Sequence, residues 1–142
     1  MTLHVELVVP DREVWSGSAR MVVAKTLDGD IGVLGSHPPV LGVLAPGSVV
    51  RILDPDAGES ADGESGESGS AEGELTAAVS GGFFSVANDR VSILARDAEL
   101  GRDVDVPAAR AELGDAASTP ASDEDAETRY ARARLRAAGE QA

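Results

Sequence analysis

Residue types that commonly carry catalysis are scarce in this chain of 142 residues, which has no cysteine and only two histidines, His4 and His37. The absence of cysteine excludes thiol catalysis, disulfides and cysteine-ligated zinc, and two imidazoles are too few for a multi-histidine metal centre. A serine triad built around His37 would need a G-x-S-x-G nucleophile elbow, which the sequence lacks. We therefore expect no catalytic residue, no resident metal and no cofactor.

Neither a calcium loop nor a phosphate-binding loop is complete in the sequence. The run 54–56 begins like a calcium loop, but its sixth position is Glu59 rather than glycine and its twelfth is Ser65. The phosphate loop G-x-x-x-x-G-K-[ST] is absent, and Lys25 is the only lysine. We interpret these acids as part of a solvated loop.

The charge balance argues against nucleic acid or an anionic membrane surface as a partner. Acidic residues outnumber basic residues by 25 to 12, which gives a formal charge of −13, whereas both partners require clustered lysine and arginine. The densest basic cluster lies near the C-terminus, where four acids precede it and bring the segment close to neutrality. We interpret it as the solvated face of a helix with internal ion pairs. Its members are Arg129, Arg132, Arg134 and Arg136.

The first hundred residues have the periodicity of short β-strands. From Leu3 to Val9 the odd positions are apolar and form one face, so His4 should point to solvent. Turn residues, among them Ser16-Gly17 and Asp28-Gly29, divide the remaining apolar runs. Further strands are expected over Ala19–Thr26, Val40–Leu44, Val49–Leu53, Leu75–Ser80, Phe83–Ala87 and Val91–Ala95. Short strands about ten residues apart, with no helical period between them, predict an antiparallel β-sandwich or a flattened barrel.

A polar segment, 54–74, interrupts this pattern with eight acids and no base. It contains no Val, Leu, Ile or aromatic residue, so it cannot bury enough apolar surface to offset the entropy of ordering. We expect a disordered loop that joins the strands Val49–Leu53 and Leu75–Ser80 as a hairpin.

Past position 100 the composition changes to that of short helices. Val104–Leu113 is expected to form one helix, with Asp105 near its cap and Pro107 in its first turn. A second helix is expected to begin at Ser122, which has capping-box spacing to Asp125.

The apolar stripe of the second predicted helix is weak, because most of its members are alanines. Burial contributes roughly 25 cal/mol per Å² of apolar surface, so alanines add little when they dock. We therefore expect the helices to be held only loosely. The stripe consists of Ala126, Tyr130, Ala133 and Ala137, with Leu135 beside it.

One connection, residues 29–41, has an unusual density of glycine and proline. Three glycines at intervals of three accompany Asp30, His37 and two consecutive prolines. Glycine permits positive φ and the close approach of another backbone, and the prolines reduce the ordering cost when a partner docks. The residue types alone fit a plain turn and a partner-binding loop equally well.

Read as a whole, the run 29–41, GDIGVLGSHPPVL, resembles a segment of the epsilon subunit of bacterial and chloroplast F-type ATP synthases, called delta in mitochondria. That family has G-E-L/I-G-x-x-x-x-H-x-P-L/V-L between two strands, followed by a P-G turn that Pro46-Gly47 matches. A second similarity is the S-G-G strand start at 80–82, with the run Val91–Ala95 behind it. The Trp15-Ser16-Gly17 turn also fits. Together these similarities extend in order over residues 3–100.

The resemblance implies a β-sandwich of about ten strands over residues 1–100 and a C-terminal helical hairpin over 101–142. It implies a non-catalytic rotor subunit of the F1 sector of a proton-translocating ATP synthase. Such a subunit lies between the gamma subunit and the c-ring, peripheral to the cytoplasmic face of the plasma membrane. Asp30 replaces the usual glutamate in the loop that faces the c-ring, and His37 matches the histidine close to the gamma contact.

The resemblance also implies that the helices can swing toward the catalytic alpha and beta subunits and inhibit ATP hydrolysis. The arginines that would then meet acidic surfaces of those subunits are Arg129, Arg132, Arg134 and Arg136. Some relatives bind ATP at the hairpin through an I/L-D-x-x-R-A motif. Here Val104-Asp105 is followed by an arginine only at Arg110, so the resemblance gives no basis for an ATP site.

A second interpretation is a stand-alone β-sandwich module that binds a small ligand or a sugar. It predicts a concave site lined by exposed aromatic side chains. The sequence has few aromatic residues to supply one, and they are Trp15, Phe83, Phe84 and Tyr130. An association with gamma would distinguish the rotor subunit from this module.

Overall fold

In the part of the chain that the structure describes, strands occupy the region before position 101 and helices follow it. The computed structural model describes residues 3–55, 73–114 and 126–139, with the backbone alone for 112–114 and 126–127. The helices in these residues are α1 (Val106–Gly114) and α2 (Ala126–Ala137), and a 3-10 turn covers Gly101–Asp103. The strands are β1 (Leu3–Val9), β2 (Arg12–Ala19), β3 (Met21–Thr26), β4 (Gly29–Leu34), β5 (Val40–Leu44), β6 (Ser48–Leu53), β7 (Glu74–Val79), β8 (Gly82–Ala87), β9 (Arg90–Ala95) and β10 (Ala98–Leu100).

The strands form two layers that are continuous at one corner. Sheet one has the order β4-β3-β6-β7-β10, and sheet two has the order β5-β8-β9-β1-β2. A single residue pair, Thr26 with Leu44, links β3 to β5 and joins the layers. All neighbours are antiparallel except β1 and β9, which run parallel. The predicted β-sandwich of about ten strands is confirmed.

The core lies between the layers and is built from aliphatic side chains. Leu3, Val5 and Leu7 are fully buried, as the alternation of the first strand predicted, and His4 points outward. Among the described residues, the largest fully buried side chain is that of Phe84. A packed core of this kind behaves as one unit, because interiors at crystal-like density resist deformation.

Two segments expected to be turns or connections are strands instead. Ser16-Gly17 lies inside β2, in register with Glu6 and Val5 of β1, so the turn predicted there is wrong. The ladder with β1 overrides the local turn preference of this dipeptide. Residues 29–34 of the predicted connection form β4, which pairs along its whole length with β3.

Gly32 in β4 has a packing role. A Cβ at this position would lie 2.8 Å from Cε of Met21 on the neighbouring strand. The glycine therefore leaves room for the methionine side chain to lie across the β4 backbone.

The acidic segment joins two strands that pair as predicted. β6 and β7 are antiparallel, and the N–H of Asp54 donates to the carbonyl of Gly73 at the base of the hairpin, at 2.5 Å. Arg20 donates to the carboxylate of Asp54 at the same end of the sheet. The segment predicted to be disordered was 54–74, but Glu74 belongs to β7 because it pairs with Leu53 of β6. Residues 56–72 of that segment lie outside the described part of the chain.

The helices follow sheet one and cover part of its outer face. Asp105 caps α1 by accepting a hydrogen bond from the N–H of Ala108, at 3.0 Å, as its predicted place near the cap suggested. Leu135 of α2 packs against Ala109 of α1, and Ala133 packs against Ala78 of β7. The predicted start of the second helix at 122 lies outside the described residues. Within the described residues, no helix has the length and hydrophobicity needed to cross a membrane.

Candidate partner-binding surfaces

An exposed row of large apolar side chains crosses the outer face of sheet two. Val43, Phe83 and Leu94 are successive register partners on β5, β8 and β9, with exposed fractions of 42%, 53% and 51%. Leu41, two residues along β5, is 73% exposed, and Leu27 in the β3–β4 turn is 66% exposed. The N–H of Leu27 donates to the carbonyl of Val43 at 3.0 Å, so the turn adjoins the row. We call these five residues the apolar stripe.

The stripe makes sheet two apolar on both of its faces. The alternate residues of the same strands, Leu44, Phe84 and Ile93, fill the core. An antiparallel sheet with one solvated face normally alternates apolar and polar residues. Contiguous apolar side chains on an outer face are typical of a surface that another protein covers.

Asp30 and His37, the two predicted partner-contact residues, lie at opposite ends of β4. Asp30 is the second residue of this strand and is the register partner of Lys25 on β3. His37 follows the other end of the strand and leads into β5, which carries Leu41. The structure therefore brings them into two separate regions rather than one site.

The loop that carries His37 is held by backbone and side-chain hydrogen bonds. Ser36 has a left-handed backbone conformation, with φ of 66°, and its N–H donates to Oδ1 of Asp89 at 2.6 Å. The N–H of His37 donates to the carbonyl of Leu34 at 3.2 Å, and the ring Nδ1 lies 2.7 Å from the carbonyl oxygen of Pro38. These contacts fix a half-buried imidazole beside the start of β5.

The four predicted arginines of α2 divide between two flanks of the helix. Nε of Arg134 donates to Oε1 of Glu99 on β10 at 2.8 Å, and only 13% of the arginine side chain is exposed. Its guanidinium carbon lies 5.7 Å from the ring centroid of Tyr130. The other three line a cleft toward β3, and Asp30 lies on the opposite wall. They are Arg129, Arg132 and Arg136.

Two glycines let α2 approach the sandwich at backbone distance. A Cβ on Gly47 would lie 2.7 Å from the carbonyl carbon of Arg129, and a Cβ on Gly101 would overlap the carbonyl oxygen of Ala137. Thr76 on β7 donates its hydroxyl to that same carbonyl oxygen, at 2.5 Å. Small side chains on the helix and glycines beneath it thus fix both ends of α2.

Tyr130 is the only tyrosine in the chain and reports on this docking. Burial of the phenol raises its pKa to about 12, with help from the charge of Glu99 and against the opposing charge of Arg134. In the unfolded chain the phenol ionises near pH 10. The folded state therefore keeps the phenol protonated up to a higher pH than the unfolded chain does. The contribution of this group to the free energy of unfolding is fully present below pH 10 and is lost as the pH rises toward 12.

We predict that the phenolate absorbance of the folded chain titrates with a midpoint near pH 12, because Tyr130 is half-buried against the sandwich. Absorbance at the phenolate band measures this directly, with circular dichroism at each pH to show that the strands persist. A midpoint near pH 10 in a folded chain would mean that α2 does not hold Tyr130 against sheet one.

Sequence reasoning missed the apolar stripe and the partners of the arginines. The signal for the stripe was present, because Phe83-Phe84 and Ile93-Leu94 are consecutive apolar pairs in predicted strands. One member of each pair must face outward, since successive side chains alternate between the faces of a strand. Among the described residues, no group of three or more histidine, aspartate or glutamate side chains is placed to hold a metal ion.

Comparison with known proteins identifies the family of the chain. Residues 2–61 match the family described as ATP synthase, Delta/Epsilon chain, beta-sandwich domain. The epsilon chain of the ATP synthase of Thermobifida fusca is 51% identical over 139 residues, which cover 96% of this chain and 91% of that relative. The chain belongs to the ATP synthase epsilon chain family. The epsilon chain of Streptomyces coelicolor is 46% identical over 137 residues, covering 96% of this chain and 94% of the relative.

The fold agrees with this membership. A chain in the cryo-EM structure of the Euglena gracilis mitochondrial ATP synthase (OSCP/F1/c-ring, rotational state 1) superposes with a TM-score of 0.60 at 18% identity. The match covers 94% of this chain and 75% of that one. The predicted family is confirmed, and with it a subunit of ATP synthase that is not the catalytic one. The stand-alone ligand-binding module is not supported.

Proposed function

We propose that this epsilon-family chain is a non-catalytic rotor subunit that joins the gamma subunit to the c-ring of a proton-translocating ATP synthase. The observation that carries the proposal is the apolar stripe. The chain has a formal charge of −13 but exposes five large apolar side chains on one surface. Such a surface is typical of one that another protein covers. The exposure supports a permanent protein partner over free existence in solution.

Gamma is the partner that we assign to the part of the stripe that lies on β5, β8 and β9. Phe83 stands at its centre, with Val43 and Leu94 on either side, and aromatic side chains are frequent anchors of protein interfaces. His37 precedes the strand that carries Leu41, so a partner seated on the stripe would reach the imidazole at one end. This supports the assignment of His37 to the gamma contact.

The c-ring is the partner that we assign to the β3–β4 end. The turn presents Leu27 as an exposed apolar tip, with the carboxylates of Asp28 and Asp30 beside it. The two carboxylates suit an electrostatic contact with the polar loops of a ring. The apolar tip gains when that contact covers it. The packed strands β1 to β10 would carry torque from this end to the stripe, because they resist shear as one body.

The arm formed by residues 101–142 is the part that we assign to the catalytic alpha and beta subunits. In the described conformation Arg134 is bonded to Glu99 and the other α2 arginines face sheet one. The arginines can meet acidic surfaces elsewhere only after α2 leaves the sandwich. Inhibition of ATP hydrolysis by this arm is therefore an equilibrium between a docked and a released helix.

The subunit would be peripheral to the cytoplasmic face of the plasma membrane.

Association with gamma tests the proposal. The whole chain, co-expressed with the gamma subunit from the same source, is expected to purify as a stable one-to-one complex at low micromolar concentration, because the stripe supplies an apolar interface core. Size-exclusion chromatography with light scattering measures it. A chain that stays monomeric beside folded gamma would contradict the rotor assignment.

A further inference from the structure

The loop between β4 and β5, residues 35–39, connects the two layers of the sandwich. β4 belongs to sheet one and β5 to sheet two, so the loop crosses from one layer to the other. It contains Pro38 and Pro39, which have no backbone N–H to donate. The N–H of His37 donates to the carbonyl of Leu34 at 3.2 Å, at the long end of the usual range. The position of the loop therefore depends on contacts with other elements.

Asp89 supplies such a contact from the turn between β8 and β9. Asn88 and Asp89 form this two-residue turn, and both have a left-handed backbone, with φ of 55° and 62°. The carbonyl of Asp89 accepts a hydrogen bond from the N–H of His4 on β1 at 2.8 Å. Its Oδ1 accepts a hydrogen bond from the N–H of Ser36 at 2.6 Å. One residue of a tight turn thus bonds both to a strand of sheet two and to the crossing loop.

The hydrogen bond from Ser36 holds a conformation that serine rarely adopts. Ser36 has φ of 66°, a region that is disfavoured for residues with a Cβ. A carboxylate is a stronger acceptor than a neutral carbonyl, because the ionised oxygen makes a charge-assisted hydrogen bond. Without this acceptor, the backbone of Ser36 would relax toward an ordinary conformation, and the loop would leave its observed path.

We propose that Asp89 is a positioning residue for the association with gamma, an inference that rests on the proposed function. Asp89 acts through the loop, because its carboxylate holds Ser36, and the next residue, His37, then lies half-buried beside the start of β5. β5 carries Leu41 and Val43 of the apolar stripe. A loop that is fixed before gamma arrives loses less conformational freedom on binding, so the complex is tighter.

Amide hydrogen exchange of the isolated whole chain tests whether Asp89 holds the loop. Asp89→Gly removes the acceptor and keeps the left-handed turn, because glycine adopts positive φ without strain. The Ser36 amide is expected to be protected at least about tenfold in the natural chain. In Asp89→Gly it is expected to exchange close to the rate of an unstructured amide.

Two further variants separate the carboxylate from the turn. Asp89→Asn keeps an acceptor oxygen and tolerates the left-handed backbone, so it is expected to retain most of the protection of the Ser36 amide. Asn88→Gly is the matched control, because it places glycine in the same turn at a similar φ and leaves the Asp89 carboxylate in place. It is expected to leave the protection unchanged. Equal protection in Asp89→Gly and the natural chain would overturn the proposal.

Association and dissociation rates with immobilised gamma test the effect on binding. Asp89→Gly is expected to bind about fivefold more weakly, through slower association, because only chains with the loop in place can bind. The dissociation rate is expected to stay within about twofold, since Asp89 itself makes no contact with gamma. Asp89→Asn is expected to bind within about twofold of the natural chain.

A double-variant cycle with His37→Ala tests whether Asp89 acts through the loop. In a chain that carries His37→Ala, the change Asp89→Gly is expected to cost no more than about twofold in affinity, because the contact that it positions is already missing. An equal fivefold loss in both backgrounds, or a loss confined to the dissociation rate, would overturn the positioning role.

Failure of this inference differs from failure of the proposed function. A natural chain that does not bind gamma would contradict the proposed function, and with it the role of Asp89 in that contact. Equal association rates for the natural chain and Asp89→Gly would overturn the role of Asp89 alone.

Discussion

Replacing Phe83 with aspartate is expected to weaken the complex with gamma strongly while the isolated chain remains folded. Phe83 is half-exposed at the centre of the apolar stripe, so the free chain loses little packing. In the complex the same position becomes buried, and an unpaired carboxylate there would have to be desolvated. Central aromatic anchors commonly cost about 2 to 4 kcal/mol, so we expect the dissociation constant to rise at least about thirtyfold. Calorimetry or chromatography with purified gamma measures the loss.

Leu34→Asp is the matched control for this experiment. Leu34 is 49% exposed, like Phe83, but it lies on β4 at the edge of sheet one. The control is expected to bind gamma within about twofold of the natural chain, because the stripe is unchanged. Equal losses in the two variants, or full binding by Phe83→Asp, would remove the stripe as the gamma surface.

Replacing Gly101 with alanine is expected to displace α2 from the sandwich. The added methyl group would overlap the carbonyl oxygen of Ala137 and lie 2.5 Å from Oγ1 of Thr76. A backbone carbonyl cannot rotate aside as a side chain can. The end of α2 must therefore move, and it loses the hydrogen bond from Thr76. The pKa of Tyr130 should then fall from about 12 toward its ordinary value near 10, because the phenol regains water. Absorbance titration measures this shift.

Gly32→Ala provides the matched control for the docking experiment. The same methyl group would there meet only Cε of Met21, the flexible end of a side chain that can swing aside. The Tyr130 midpoint is expected to stay near pH 12 in this variant. If Gly101→Ala keeps that midpoint too, the close contact at Gly101 does not determine the docking of α2.

The parts of the fold that follow local patterns were predictable from the sequence. β1 shows strict alternation over seven residues, and its bounds, Leu3–Val9, match the prediction. Asp105, two residues before Pro107, marks a helix start through backbone chemistry alone, and the observed cap confirms it. These signals act within one turn or one strand, so no distant partner is needed to interpret them.

The predictions that were wrong concern segments whose conformation depends on partners far away in the chain. Ser16-Gly17 has the preference of a turn, and only the ladder with β1 draws it into β2. Residues 29–34 form a strand because β3 offers a complete edge, although glycine is a poor strand former in isolation. Propensity is a weak guide wherever pairing decides the conformation.

The candidate surfaces were predictable only in part, for the same reason. Asp30 and His37 were found as unusual residues, but the sequence did not say that β4 holds them apart. Phe83 and Leu94 were placed in strands, whereas their alignment with Val43 requires the register of three strands. The alanine stripe of α2 predicted loose docking of the helix. The close approach of α2 to the sandwich depends on Gly47 and Gly101, which are distant from the helix in the chain.

One face of the sandwich is proposed to meet gamma, while the β3–β4 end is proposed to meet the c-ring. The chain has no cysteine, so one introduced thiol is unique in this subunit and can carry a short photoactivated cross-linker. In the assembled ATP synthase, Leu41→Cys is expected to cross-link to gamma and Asp28→Cys to the c subunit, each identified by mass spectrometry. Cross-links in the reverse pattern, or to neither subunit, would contradict both partner assignments.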